Sequence, residues 1–276
     1  MKLVKQLFDF YINASIHVAL AVFSLTWITL IEYGVSYDDS VLYFVFFASI
    51  TGYNFVKYFG VAKFHHRRLA NWLKTIQMFS LFCFVFMCFY ANQLNAITLI
   101  YIAVFGVITF LYAIPFLPKR LFLDKQHNLR GIGGLKIYLI ALVWCGVTVF
   151  LPLLNNQHSI NADVVLTGFQ RYIFVMVLML PFEIRDLQFD DLKLSTIPQK
   201  IGTIQTKIIG VLLLMLFFFL EFFKDEINAR RITLLLVIMI IILLFLVFST
   251  KEQGKYYSSF WVESIPILWL FFFLIT

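Results

Sequence analysis

Residues 183–198, EIRDLQFDDLKLSTIP, follow directly on an apolar run at 172–182, in a chain built almost wholly of such runs. The stretch holds Glu183, Asp186, Asp190 and Asp191 against two cations, Arg185 and Lys193. Charge is costly to misplace at the edge of a bilayer, so a cluster there marks a site. Glu183 precedes Asp186 by three residues, and Asp190 follows it by four. On a helix all three project from one face, a geometry suited to a divalent cation. Asp191 points about 100° round the helix from Asp190. Arg185 and Lys193 are placed to contact phosphate directly. The structural alternative is an interfacial cap in which these acids and bases pair with each other.

The composition around this stretch excludes a soluble domain. Of 276 residues 62% are hydrophobic and 13% charged, and the mean hydropathy is +0.89; typical soluble chains are about half apolar and a quarter charged. The chain reads as one all-α, polytopic integral-membrane domain over 1–276, with no polar linker to suggest a second. Nine apolar runs are long enough to span, at roughly 10–31, 41–59, 73–91, 95–114, 135–154, 164–182, 207–223, 232–249 and 258–275. No cleavable signal peptide is evident.

With the N-terminus cytoplasmic and the C-terminus outside, every one of the 22 Lys and Arg residues except Arg171, Lys224, Arg230 and Arg231 falls on the inner side. That bias accounts for the net charge of +7 without any nucleic-acid partner. It suits a bacterial inner membrane. Cys83, Cys88 and Cys145 all lie in apolar runs without paired spacing, and read as buried small side chains.

The long inner loops follow the second, fourth and sixth runs, and function concentrates in such loops. The ends of the second and sixth runs lie four helices apart on one membrane face. This suggests two four-helix repeats plus a ninth helix. Pro115 and Pro118 break the fourth run. Glu263 lies within the ninth run, where a carboxylate is costly unless paired, for instance with Lys255. Lys136 opens the fifth run as an inner-face anchor or a diphosphate contact. The 34 Phe residues serve lipid-facing and interhelical packing equally well as a wall for a prenyl chain.

RDLQFDDLKLSTIPQKIG, residues 185–202, resembles the second aspartate motif of the UbiA superfamily of intramembrane prenyltransferases. The matching positions are Asp186 and Asp190, the basic Lys193, Thr196-Ile197-Pro198 and Ile201-Gly202. YAIPFLPKR at 112–120 resembles the family's proline-rich stretch after the fourth helix. GLKIYLIALVW at 134–144 resembles the start of its fifth, with Lys136 on a commonly basic position. The resemblance implies a prenyl transfer from a polyprenyl diphosphate to a lipophilic acceptor. It implies Mg²⁺ and diphosphate held by aspartates, and an allylic cation shielded in a dry pocket. Asp186 and Asp190 are the implied catalytic metal ligands, with Glu183 beside them on the same face.

The first aspartate motif departs from the family pattern. Asn54 matches the family's asparagine, but the two aspartate positions fall on Tyr58 and Ala62. The surrounding residues are basic instead: Lys57, Lys63, Arg67 and Arg68, with His65 and His66 between. One Mg²⁺ site rather than two is therefore expected. In one reading Lys57, Lys63 and Arg67, with Asn54, Lys136, Arg185 and Lys193, neutralise the diphosphate in place of the missing metal. In a second the chain is a non-catalytic UbiA-fold protein that binds isoprenoid lipid or a membrane partner. A third, a small transporter coupling through Glu183, Asp186 and Glu263, leaves the 185–202 resemblance unexplained.

Overall fold

Long apolar runs broken by short polar turns leave the backbone one economical solution, because helices satisfy their own N–H and C=O groups. The computed structural model describes residues 2–64, 71–113, 134–188 and 196–276, and among them it is helical without strands. The helices are α1 (Lys2–Asn13), α2 (Ile16–Glu32), α3 (Asp39–Phe64), α4 (Asn71–Ala91), α5 (Ala96–Ala113), α6 (Leu135–Cys145), α7 (Leu151–Asn155), α8 (Ala162–Asp186), α9 (Ile197–Phe219), α10 (Ala229–Val247) and α11 (Ile265–Ile275). A π-turn at Gly146–Phe150 joins α6 to α7, and another at Tyr257–Val262 leads into α11.

Polar residues set several of the starts. Asn161 accepts from the Val164 amide at 3.0 Å, and Asn228 from that of Arg231 at 3.3 Å, each occupying an otherwise unpaired donor of the first turn. Asp38 accepts from the Val41 amide at 3.1 Å. Its other oxygen takes the side-chain amides of Asn155 and Asn156 at 3.0 and 2.8 Å, fastening the start of α3 to the end of α7.

Among the described residues seven helices are long and apolar enough to cross a membrane, or eight if α1 and α2 form one bent span; Ala96–Leu111 is apolar but shorter. The run expected at 10–31 is not one straight helix. It bends by 54° between α1 and α2, and Ser15 at the bend takes a left-handed φ of 62°. The helix expected at 207–223 begins earlier, just after Gly202, whose φ of 84° kinks α9 and sets off a short turn starting at Ile197, where the Thr196 amide donates to Gln199 Oε1 at 3.0 Å. Cys83 and Cys145 are buried as expected, but Cys88 is exposed on α4.

α8 is the axis of the molecule. Of its span 72% is buried, against 56% for the next most buried span, Leu135–Asn155. Ile173, Phe174, Val175, Val177 and Leu178 form one apolar core with Leu25 and Ile28 of α2, Phe217 of α9 and Trp269 of α11. α9 lies close against α8 and α10 because Gly210 has no side chain there; a Cβ would run into Leu180 and Leu246.

Candidate functional site

The last turns of α8 carry Glu183 and Asp186 out of the core. Helix continues past Phe182, where the expected span ended, and stops at Asp186. Glu183 and Asp186 therefore share a helix face as the spacing requires. The helical argument does not extend to Asp190, because residues 187–188 form a turn. Asp190 and Lys193 lie outside the described residues, as do Arg67 and the side chain of Lys63.

Facing this end of α8 is the start of α6. Gly134, with a left-handed φ of 77°, turns the chain into that helix. Lys136 follows two residues later. Its ammonium sits 3.2 Å from Asp186 Oδ2 and 3.4 Å from Glu183 Oε1. Arg185 Nη2 and Nε donate to the other Asp186 oxygen at 2.8 and 2.9 Å. The Arg185 guanidinium lies 5.2 Å from the Phe182 ring centroid. The Glu183 side chain is only 2% exposed and that of Asp186 19%, so these are partly desolvated contacts rather than surface pairs. Gln253 ties the turn before α11 to α8, donating to the Pro181 carbonyl at 2.8 Å and to Ser258 at 2.9 Å.

Lys57 and Glu263 approach from α3 and from the turn before α11. Glu263 lies within electrostatic reach of Lys57 and Arg185. The partner expected for it, Lys255, instead pairs with Asp9 at 2.6 Å. That bond holds the Lys255 ammonium above the usual lysine range. Among the described residues, Lys136 and Arg185 thus pair with Glu183 and Asp186 at one end of the bundle, while Glu263 has Lys57 and Arg185 within electrostatic reach.

The α3 face does something the sequence did not suggest. Asn54 is buried. It accepts from Ser15 Oγ at 2.8 Å and donates to the Ala14 carbonyl at 3.0 Å and to Ser80 Oγ at 2.7 Å. Lys57 donates to Ser15 Oγ at 3.0 Å, and Tyr58 to the Asn13 carbonyl at 2.9 Å. Two positions of the departed motif, with Lys57 between them, hold the α1–α2 bend.

Other buried polar residues escape a reading of the sequence alone. His17 bridges Tyr11 Oη at 2.6 Å and the Phe260 carbonyl at 2.9 Å, tying α2 to the turn before α11. Arg171, counted above with the outer cations, is not in a loop. It is 2% exposed inside α8, donates to the Leu25 carbonyl at 3.1 Å and lies 5.2 Å from the Trp269 ring centroid. It sits about 22 Å along α8 from Asp186 at about 1.5 Å per residue. Near it Glu221 is buried with Lys224 at 2.8 Å, with Arg231, and with Gln170 at 3.1 Å. The spacing of Glu221 and Lys224, one helical turn apart, is the sequence signal available for that cluster.

No protein-family model matches the chain, and no curated protein matches it either. A solved structure does. It is a digeranylgeranylglyceryl phosphate synthase in membranes, a UbiA-type prenyltransferase, at 14% identity with a TM-score of 0.58, covering 98% of this chain and 98% of that one. The chain has the UbiA-type fold. The resemblance read from residues 185–202 thus extends over nearly the whole length of the chain, as a likeness of architecture.

The resemblance read from the sequence implies Mg²⁺. Two hard carboxylate oxygens, Glu183 Oε1 and Asp186 Oδ2, already close on a single cation, the Lys136 ammonium. That donor set is the kind Mg²⁺ takes alongside phosphate oxygens. Among the described residues no three His, Cys, Asp or Glu side chains gather as a complete ligand set. Asp190 would have to contribute the remaining carboxylate.

Proposed function

We propose that this chain is a UbiA-like intramembrane prenyltransferase, moving a prenyl group from a polyprenyl diphosphate to a lipophilic acceptor within membrane lipid. The observation that supports it most is the gathering of Glu183, Asp186, Lys136 and Arg185 at one end of the most buried helix of this fold. Asp186 and Asp190, with Glu183, would hold one Mg²⁺, which when bound supplies positive charge to the leaving diphosphate. Lys136, Arg185 and Lys57 add fixed cations on the same side, and Lys63, Arg67 and Lys193 extend that charge in the loops. The buried Phe and Trp side chains of the core keep water from an allylic cation. In this reading α5 supplies a further crossing, giving nine spans as two four-helix repeats plus one helix. The N-terminus is cytoplasmic and the C-terminus outside, in a bacterial inner membrane.

A second reading, a non-catalytic UbiA-fold protein binding isoprenoid lipid or a membrane partner, is favoured by one observation. Asn54 and Tyr58 are bonded within the chain to the α1–α2 bend. The test is purified protein in detergent with prenyl diphosphates of several lengths, scored for binding and diphosphate release with and without Mg²⁺. Metal-dependent turnover lost in Asp186→Ala supports the enzyme. Prenyl-chain binding indifferent to Mg²⁺ and to Asp186, without diphosphate release, supports the second reading.

A further inference from the structure

We propose that Lys136 is a resident counter-ion that keeps divalent metal off Glu183 and Asp186 until diphosphate arrives, so that metal enters this site only together with diphosphate. The inference rests on the metal reading proposed above. Its starting point is geometric: one ammonium touches a carboxylate oxygen of each residue, at 3.4 and 3.2 Å, from a separate helix. Arg185 takes the remaining Asp186 oxygen at 2.8 Å. Both carboxylates already have cationic partners supplied by the chain.

Charge balance turns that geometry into an order of events. The paired groups balance, with Lys136 and Arg185 set against Glu183 and Asp186. A divalent ion entering alone would displace the Lys136 ammonium and leave two surplus positive charges beside a nearly dry Glu183. The displaced ammonium stays tethered to the start of α6 beside the site. A diphosphate entering with the metal changes both terms. Its oxygens bring the missing negative charge, and they offer the Lys136 ammonium three-donor hydrogen bonding in exchange for the carboxylates it releases. Lys136 therefore passes from carboxylate to phosphate as the site fills. Arg185, fixed on Asp186 and on the Phe182 ring, keeps its place.

The experiment is equilibrium dialysis of the full-length protein in detergent against Mn²⁺, with and without inorganic diphosphate. The protein is compared with Lys136→Met, Lys136→Gln and the double variant Lys136→Met/Asp186→Asn. The unaltered protein is expected to retain Mn²⁺ when inorganic diphosphate is present and not without it; this arm needs no variant to fold. Lys136→Met, or Lys136→Gln if the first is unstable, is expected to bind Mn²⁺ alone at least about tenfold more tightly than the unaltered protein, as removal of a close opposing charge implies. The double variant loses that gain. If the unaltered protein binds Mn²⁺ equally well without diphosphate, the counter-ion role is wrong while the metal site stands. The counter-ion role is equally wrong if removing the ammonium leaves Mn²⁺ affinity unchanged although diphosphate still recruits the ion. If no Mn²⁺ is retained under any condition, the metal reading falls, and the inference falls with it.

Discussion

Replacing Asn54 by alanine separates the two roles this residue can have. The resemblance makes it a diphosphate contact; the structure makes it the bolt of the α1–α2 bend. Its amide bonds Ser15 Oγ, the Ala14 carbonyl and Ser80 Oγ at 2.8, 3.0 and 2.7 Å. Two of those partners keep another bond after truncation: Ser15 Oγ still meets Lys57, and Ser80 Oγ still donates to the Ile76 carbonyl. The Ala14 carbonyl, on a residue 0% exposed, loses the Asn54 donor. A buried group stripped of its partner costs about 1–3 kcal/mol, and each weakened hydroxyl bond about 0.5–1.5 kcal/mol. Asn54→Ala should therefore lose about 3 kcal/mol of stability. Thermal unfolding in one detergent measures this, while calorimetry well below the transition reads binding of inorganic diphosphate. The clamp predicts a lower unfolding temperature with diphosphate binding largely kept in the folded fraction. A stability change within about 0.5 kcal/mol together with loss of diphosphate binding would refute the clamp and restore Asn54 to the ligand set.

Glu221→Ala leaves Lys224 and Arg231 without their buried carboxylate and should destabilise by about 3–5 kcal/mol. Glu221→Leu combined with Lys224→Met should recover much of that loss on the same unfolding assay, because a well-packed apolar pair avoids the desolvation cost. Gly210→Val drives a side chain into Leu180 and Leu246 and should cost about 1–3 kcal/mol from overpacking, read as a lowered unfolding midpoint. Asp186→Ala should abolish diphosphate release from prenyl diphosphates, measured against unaltered protein at equal folded fraction.

The architecture is legible because its signal is repeated. Each apolar run is long, and a bilayer admits few alternatives to helix. Local departures are less legible, for different physical reasons. The bend at residues 13–15 contains neither proline nor glycine; it is held from α3, some forty residues away, by Asn54 and Tyr58. Hydropathy falls at Glu183 and so ends α8 too early, whereas backbone hydrogen bonding continues to Asp186. Charge counting puts Arg171 among the outer cations because it carries no depth. In the structure its guanidinium is satisfied by a carbonyl and an indole face inside the bundle. The pairing of Lys136 with Glu183 and Asp186 crosses about fifty residues, and no periodicity encodes it.

The loss of aspartates at positions 58 and 62 therefore has a physical counterpart on this fold. The α3 face that the resemblance assigns to a first metal is here occupied by bonds to the neighbouring helix bend, and Tyr58 donates to Asn13 where a carboxylate would repel that carbonyl. Such a face has no need of an acidic pair. On the described α8 side the two carboxylates are already matched by Lys136 and Arg185, so a diphosphate there needs further positive charge. In the proposed reading that charge would come from a metal on Asp186 and Asp190, with Lys136 yielding its place. If Lys136 is the counter-ion proposed above, anion binding and metal binding are tied to one another at this site, because metal that displaces the ammonium is balanced only by the incoming diphosphate.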